Sequence, residues 1–207
     1  IFGISLNRRL VSFLNSTNFL CQSQFGFRQK SNTNIAVMEV LNFIYRELDK
    51  RGTNVVSGLF IDLSKAFDTV DRNLLIRKLE HAGIRGNVKQ LFRDYLTNRK
   101  QVTIIDKKCS NVRPIDVGVP QGSVLGPTLF LIFINDVKQL DLMGQLFLYA
   151  DDAALFYPGT DDVSNVIAIN HDLAQLKQYF CMNFLTMNKS KTKYVHFHNH
   201  NVKLLNT

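Results

Sequence analysis

Apolar positions in this chain follow two periods, and each period marks a different element. Over Asn34–Lys50, Ile35, Val37, Met38, Val40, Leu41, Ile44, Tyr45 and Leu48 recur at helical spacing until Arg51-Gly52 ends the stripe. Val55–Leu63 is β-branched and apolar, which predicts a buried strand carrying Asp62 near its C-terminal end. Asp71–His81 and Asn87–Asn98 read as helices separated by Gly83 and Gly86. Gln101–Ile105 and Val112–Val117 alternate enough to predict a hairpin, and Gln121–Val137 predicts a long buried helix. Two short apolar runs, Gln145–Tyr149 and Ala153–Tyr157, flank Asp151-Asp152 and predict a tight hairpin with both carboxylates at its tip. Asp162–Asn183 repeats Val163, Val166, Ile167, Leu173, Leu176 and Tyr179 at helical spacing, and Tyr194–Phe197 predicts a last strand. Helices crossing over a small antiparallel sheet predict an α+β, ferredoxin-like fold.

The acidic residues change this picture from fold to chemistry. An isolated Asp-Asp pair is ordinarily a solvated turn. Here a second carboxylate, Asp62, ends a separate apolar strand, and a buried Asp needs a partner or a metal. Brought together, Asp62 and the Asp151-Asp152 pair form a hard oxygen donor set suited to Mg²⁺. Paired carboxylates of this kind hold two ions about 3.5–4 Å apart in nucleotidyl transfer.

Four blocks, in order, carry a resemblance to the reverse transcriptase domain of a non-LTR (LINE-type) retrotransposon. They are Gln24-Phe25-Gly26-Phe27-Arg28, Phe60–Asp68, Gly118–Pro127 and Tyr149-Ala150-Asp151-Asp152. A weaker fifth block is Leu185–Thr192. The resemblance implies a right-hand polymerase palm with partial fingers and no thumb. Residues 1–50 would be fingers, 51–200 the palm with inserted fingers elements at 85–117, and 201–207 a tail.

The resemblance also implies roles. Asp62, Asp151 and Asp152, with the Leu63 carbonyl, would hold two Mg²⁺ ions, for which Mn²⁺ could substitute. Lys191 would act near the leaving pyrophosphate, and Arg28 would contact the triphosphate, since fixed cations stabilise charge building on phosphoryl oxygens. Gln121, Gly122 and Tyr149 would border the incoming nucleotide. Phe67 would pack under its sugar and exclude a 2′-hydroxyl, which favours deoxynucleotides and makes a viral RNA-copying polymerase the poorer match. Read without the resemblance, Pro120-Gln121-Gly122 is an ordinary strand-to-helix loop and Phe67 a core residue. Lys65 and Asp68 read as a local surface ion pair.

Composition agrees with a nucleic-acid enzyme. The 207 residues are 45% hydrophobic and 20% charged, enough for a core and too apolar for disorder. Lys and Arg number 25 against 17 Asp and Glu, a net charge of +8 that suits a polyanionic partner. The expected partners are an RNA template, a DNA primer and deoxynucleoside triphosphates. Cys21, Cys109 and Cys181 are unpatterned, which argues for a reducing compartment; the resemblance places the parent element in the nucleus. His196, His198 and His200 alternate as on one face of a strand, where a metal site or a plain exposed strand end both fit. The longest apolar run, Leu129–Ile134, is too short to span a membrane, and Arg8-Arg9 interrupt any signal pattern.

The family's members carry an endonuclease upstream and a thumb downstream, so the chain reads as part of a larger protein. Phe180 stands where many relatives have tryptophan. Two alternatives stand beside the polymerase reading: a catalytically idle nucleic-acid-binding remnant, and a group II intron maturase-like enzyme.

Overall fold

A computed structural model describes residues 2–198. The chain is a mixed α/β protein that divides into two compact units whose segments interleave along the sequence. One unit comprises residues 1–20 and 65–135, the other 21–64 and 136–207.

The second unit is built on a four-stranded antiparallel sheet. Its strands are β1 (Val55–Ile61), β6 (Gln145–Tyr149), β7 (Asp152–Gly159) and β8 (Lys193–His198), in the order β6-β7-β1-β8. β1 pairs Val55 to Gly159 and Ile61 to Ala153 on one side, and Val55 to His198 on the other. Side chains alternate across this ladder, so each face takes its own helix. Helix α2 (Thr33–Leu48) covers the face where Val56 and Phe156 meet Ile44, with Phe43, Phe147 and Phe197 around them. Helix α6 (Asp162–Met182) covers the other, where buried Asn165 donates to the Ser57 hydroxyl and to the Tyr157 carbonyl. Asn32 caps α2 and Asp161 caps α6, each accepting a backbone N–H from the first turn.

The first unit is mainly helical: α1 (Phe2–Ser16), α3 (Arg72–His81), α4 (Gly86–Leu96) and α5 (Gly126–Ile134). Every α5 residue except Pro127 is buried, which is why its sequence is apolar all round. Two short ladders complete the unit, β2 (Arg99–Gln101) with β5 (Arg113–Ile115) and β3 (Ile104–Ile105) with β4 (Lys108–Cys109).

Two expectations need correction. The long helix starts at Gly126, not Gln121, and gives way at Asn135 to a 3₁₀ turn ending at Gln139. Residues 120–125 form a turn instead: Gly122 has φ +72°, and the Ser123 hydroxyl donates to the Pro120 carbonyl and accepts from the Gly126 N–H. The segments expected to form one hairpin form two ladders. Asp106 and Lys107 both take positive φ, the left-handed pair that a tight two-residue hairpin turn requires, and this closes Ile104–Cys109 on itself.

Candidate active site

Asp62 and the Asp151-Asp152 pair converge within the sheet unit. β1 ends at Ile61, so Asp62 emerges at the end of a central strand. The register of β1 on β7 sets Ile61 opposite Ala153, beside Asp152. β6 and β7 close through a two-residue turn of Ala150 and Asp151, with Tyr149 paired to Asp152. Asp151 thus occupies the turn and Asp152 opens the next strand.

The electrostatics are those of a site short of positive charge. Burial pushes the Asp151 carboxyl above the usual carboxylate range; its own backbone N–H opposes this, and the Asp62 charge adds to it. Asp152 is also raised, by burial first and then by Asp151 and Asp62, with Lys191 pulling the other way. The Lys191 ammonium stands 4.0 Å from the Asp62 carboxylate. Three neighbouring oxygen-donor side chains, with Lys191 beside them, match a hard divalent cation. Asp62, Asp152, Tyr149 and Lys191 border a cleft of about 710 Å³ walled by apolar α2 side chains.

Backbone bonds lock these parts together. The Asn188 N–H donates to the Asp62 carbonyl, and the Ser64 N–H donates to the Thr186 carbonyl, which ties the Lys191 block directly to the Asp62 strand. Leu63 bridges Met187 between them. Asn188 then accepts from Ser190 and from the Thr192 N–H, closing the turn that presents Lys191.

The hairpin turn has its own support. Ala150 adopts φ +58°, unusual for a residue with a Cβ. Gln24, 4% exposed, accepts from the Ala150 N–H at 2.9 Å and donates to the Ala150 carbonyl at 3.2 Å. The same Gln24 oxygen accepts from the Gly26 N–H at 2.8 Å. Around it, Phe25 N–H donates to the Leu148 carbonyl and Leu148 N–H to the Ser23 carbonyl, so residues 23–25 line the free edge of β6. Tyr149 accepts from the Thr33 hydroxyl at 2.9 Å. Arg28 turns back on its own loop, donating to the carbonyls of Cys21 and Gln24.

Phe67, Gln121 and Gly122 belong to the other unit. Phe67 is half-buried and stacks on Phe130, ring centroids 4.3 Å apart. Gln121 is exposed and donates to Asp68 at 2.7 Å, so Asp68 has a partner other than the one expected. Gly118 has φ +81°, and a Cβ there would stand 2.7 Å from the Asp68 carbonyl oxygen. Its N–H bonds the Val70 carbonyl, and buried Arg72 donates to the carbonyls of Gly118, Ile115 and Val117.

Outside this site, β8 sets His196 and His198 in alternation as read. Their ligand atoms and one of Asp162 lie within 4.8 Å of one another, and Asp162 pairs with the His196 Nδ1 at 2.8 Å. His200 lies outside the described residues.

Residues that sequence reading passed over are Gln24, Asn188, Arg72 and Asp172. Gln24 lies in the Gln24–Arg28 segment, but nothing local marks a glutamine whose partner is 126 positions away. Asp172, fully buried, accepts from the N–H groups of Met143 and Gly144 and from the Tyr157 hydroxyl.

The family model for "Reverse transcriptase (RNA-dependent DNA polymerase)" matches residues 5–206. An RNA-directed DNA polymerase from the mobile element jockey of Drosophila funebris is 31% identical over 201 residues, covering 94% of this chain and 22% of that protein. The jockey polymerase of Drosophila melanogaster is 33% identical over 162 residues, 71% of this chain and 16% of the relative. The chain therefore spans about a fifth of the curated relatives it matches. Among solved structures, telomerase from Candida tropicalis, in complex with a TWJ fragment of telomeric RNA, has a TM-score of 0.69 at 14% identity over 93% of this chain and 33% of its own. Telomerase from Candida albicans gives 0.67 at 15%, over 96% of this chain and 35% of its own. At such identity these two show a shared fold. The match along nearly the whole chain makes this protein a member of the reverse transcriptase (RNA-dependent DNA polymerase) family, of the non-LTR retrotransposon kind.

Proposed function

We propose that the chain is the polymerising core of an RNA-directed DNA polymerase, extending a DNA primer on an RNA template from deoxynucleoside triphosphates. The observation that carries this reading is the convergence of Asp62 and Asp152 beside Lys191 on one cleft, with Asp151 at the adjoining turn close enough to act on Asp152. In this reading the four-stranded sheet with α2 and α6 is the palm of a right-hand polymerase, and the elements at 85–117 are inserted fingers.

Asp62, Asp151 and Asp152, with the Leu63 carbonyl, would hold two Mg²⁺ ions. Bound there, the ions supply a more acidic primer hydroxyl and charge neutralisation on the triphosphate. The reaction joins the primer 3′-oxygen to the α-phosphorus and breaks the bond to pyrophosphate, and the hydroxyl proton passes to solvent. Lys191, held by the Asn188 turn, would give a proton to the departing pyrophosphate and regain one from water. Tyr149 would line the nucleotide side of the cleft. Arg28 would serve the triphosphate only after leaving the Cys21 and Gln24 carbonyls.

The test is primer extension on an RNA template with deoxynucleotides and Mg²⁺, wild type against Asp151→Ala. Extension that the substitution abolishes is the expected result. No extension from a folded wild-type chain that still binds RNA in a salt-sensitive way overturns the proposal and leaves a nucleic-acid-binding remnant.

A further inference from the structure

We propose that Gln24 is a positioning residue for the metal ions: it holds the Ala150 peptide so that Asp151 and Asp152 point together at Asp62. This rests on the metal-site reading given above. Gln24 binds both backbone polar groups of Ala150, and so the two peptide units that flank it: it accepts from the Ala150 N–H, donates to the Ala150 carbonyl, and shares its oxygen with the Gly26 N–H. That residue sits in a left-handed conformation, φ +58°, which a side chain tolerates only when its surroundings impose it. Asp151 follows immediately, so any relaxation of Ala150 swings the first carboxylate away.

Gly26 closes the clamp from outside. A Cβ at that position would lie 2.2 Å from the Ala150 nitrogen and 2.9 Å from the Tyr149 carbonyl carbon, so only glycine lets the segment approach. Paired backbone bonds between Ser23, Phe25 and Leu148 fix the register of the clamp on β6. Before a triphosphate binds, Arg28 also ties this loop on itself through the carbonyls of Cys21 and Gln24. Uncorrected, the like charges repel: Asp62 acts on both Asp151 and Asp152, and Asp151 on Asp152. A hairpin free to relax would separate them. The clamp holds them converged before any ion arrives, which is preorganisation of the donor set.

The experiment measures Mn²⁺ binding to the whole chain by the loss of the free Mn²⁺ paramagnetic resonance signal, without nucleotide or primer. Wild type, Gln24→Met and Asp151→Ala are compared, each checked for a cooperative melt in metal-free buffer. Gln24→Met keeps the side-chain length and removes all three hydrogen bonds. Its Mn²⁺ affinity is expected to fall about tenfold, the size typical of a partner that orients metal ligands. In primer extension its half-saturating Mg²⁺ should rise similarly, with rate recovered at high Mg²⁺. Asp151→Ala should not be recovered. A cooperatively folded Gln24→Met with wild-type Mn²⁺ affinity overturns the proposal. If Gln24→Met does not fold, Gln24→Asn, which retracts the amide by one carbon, decides by the same measure. A wild type that binds Mn²⁺ but extends no primer defeats the polymerase reading alone; the clamp is still judged on affinity.

Discussion

Two groups of carboxylates in the sheet unit make opposite use of the same chemistry. Asp172 is fully buried, and both its oxygens are saturated: Met143 and Gly144 donate from the backbone, the Tyr157 hydroxyl from β7, and the His171 ring lies 3.0 Å away. Gly144 fits there because any Cβ would strike the Tyr157 ring at 2.6 Å. Burial, followed by the Asp172 charge, pushes the Tyr157 phenol far above its ordinary pKa, so it stays a donor. Asp62, Asp151 and Asp152 are less buried yet poorly served. Asp62 raises both of the others, Asp151 raises Asp152, and Lys191 stands 4.0 Å from Asp62. A carboxylate that holds the fold is fully hydrogen-bonded within it; one that serves a ligand is left in want of a cation.

The sharpest way to break this contrast is to remove one member of each set. Asp151→Ala should lower primer extension at least a thousandfold, since loss of several kcal/mol of transition-state stabilisation at about 1.4 kcal/mol per decade gives that factor. Its melting temperature in metal-free buffer should not fall. Asp172→Ala should do the reverse at equal folded concentration. It leaves two backbone N–H groups and a phenol buried without an acceptor and should cost about 3 kcal/mol in denaturant unfolding. Equal stability losses from both substitutions would erase the distinction.

A smaller effect comes from pH. Folded pKa values raised above the unfolded ones mean that Asp151 and Asp152 favour the fold while protonated. Their contribution is fully present below the ordinary carboxylate pKa of about 4 and is lost as pH rises through the raised values. Thermal melts should therefore show Mg²⁺ stabilising the chain more at pH 8 than at pH 5. Smallest of all, Asp152→Asn in metal-free buffer at pH 7 should stabilise by about 0.5 kcal/mol, because solvent screens this exposed group. A destabilised Asp152→Asn would mean that the repulsion is already relieved.

How much of this the sequence disclosed depends on the distance between partners. β1 was legible as an unbroken apolar run because it is buried on both faces, and β7 because its inner positions are buried. In α6, Leu176 and Tyr179 of the expected stripe are buried while Val163, Val166 and Ile167 are exposed, and Asn165 and Asp172 are buried in the helix. The Asp triad was legible because each carboxylate interrupts an apolar run. β2–β5 were misjudged because nearly all their residues are exposed, so alternation there follows no core. The start of α5 was misplaced because apolar content says nothing of where a Ser123-stabilised turn hands over to helix. Gln24 and Arg72 work through carbonyls and N–H groups far along the chain, and a backbone partner leaves no residue-type signature.

The central place of β1 also sets a problem of timing. Val55–Ile61 is paired on both sides, yet its first partner strand begins only at Asp152 and its second at Lys193. A ribosome adding about 5–20 residues per second leaves that strand without a mate for on the order of ten seconds. Meanwhile Val-Val-Ser-Gly-Leu-Phe-Ile is a charge-free segment with two bare edges, apt to join its copy on a neighbouring nascent chain. The arrangement that brings Asp62 to the hairpin makes crowded translation the hazard, and slower, more dilute synthesis the remedy for recovering soluble protein.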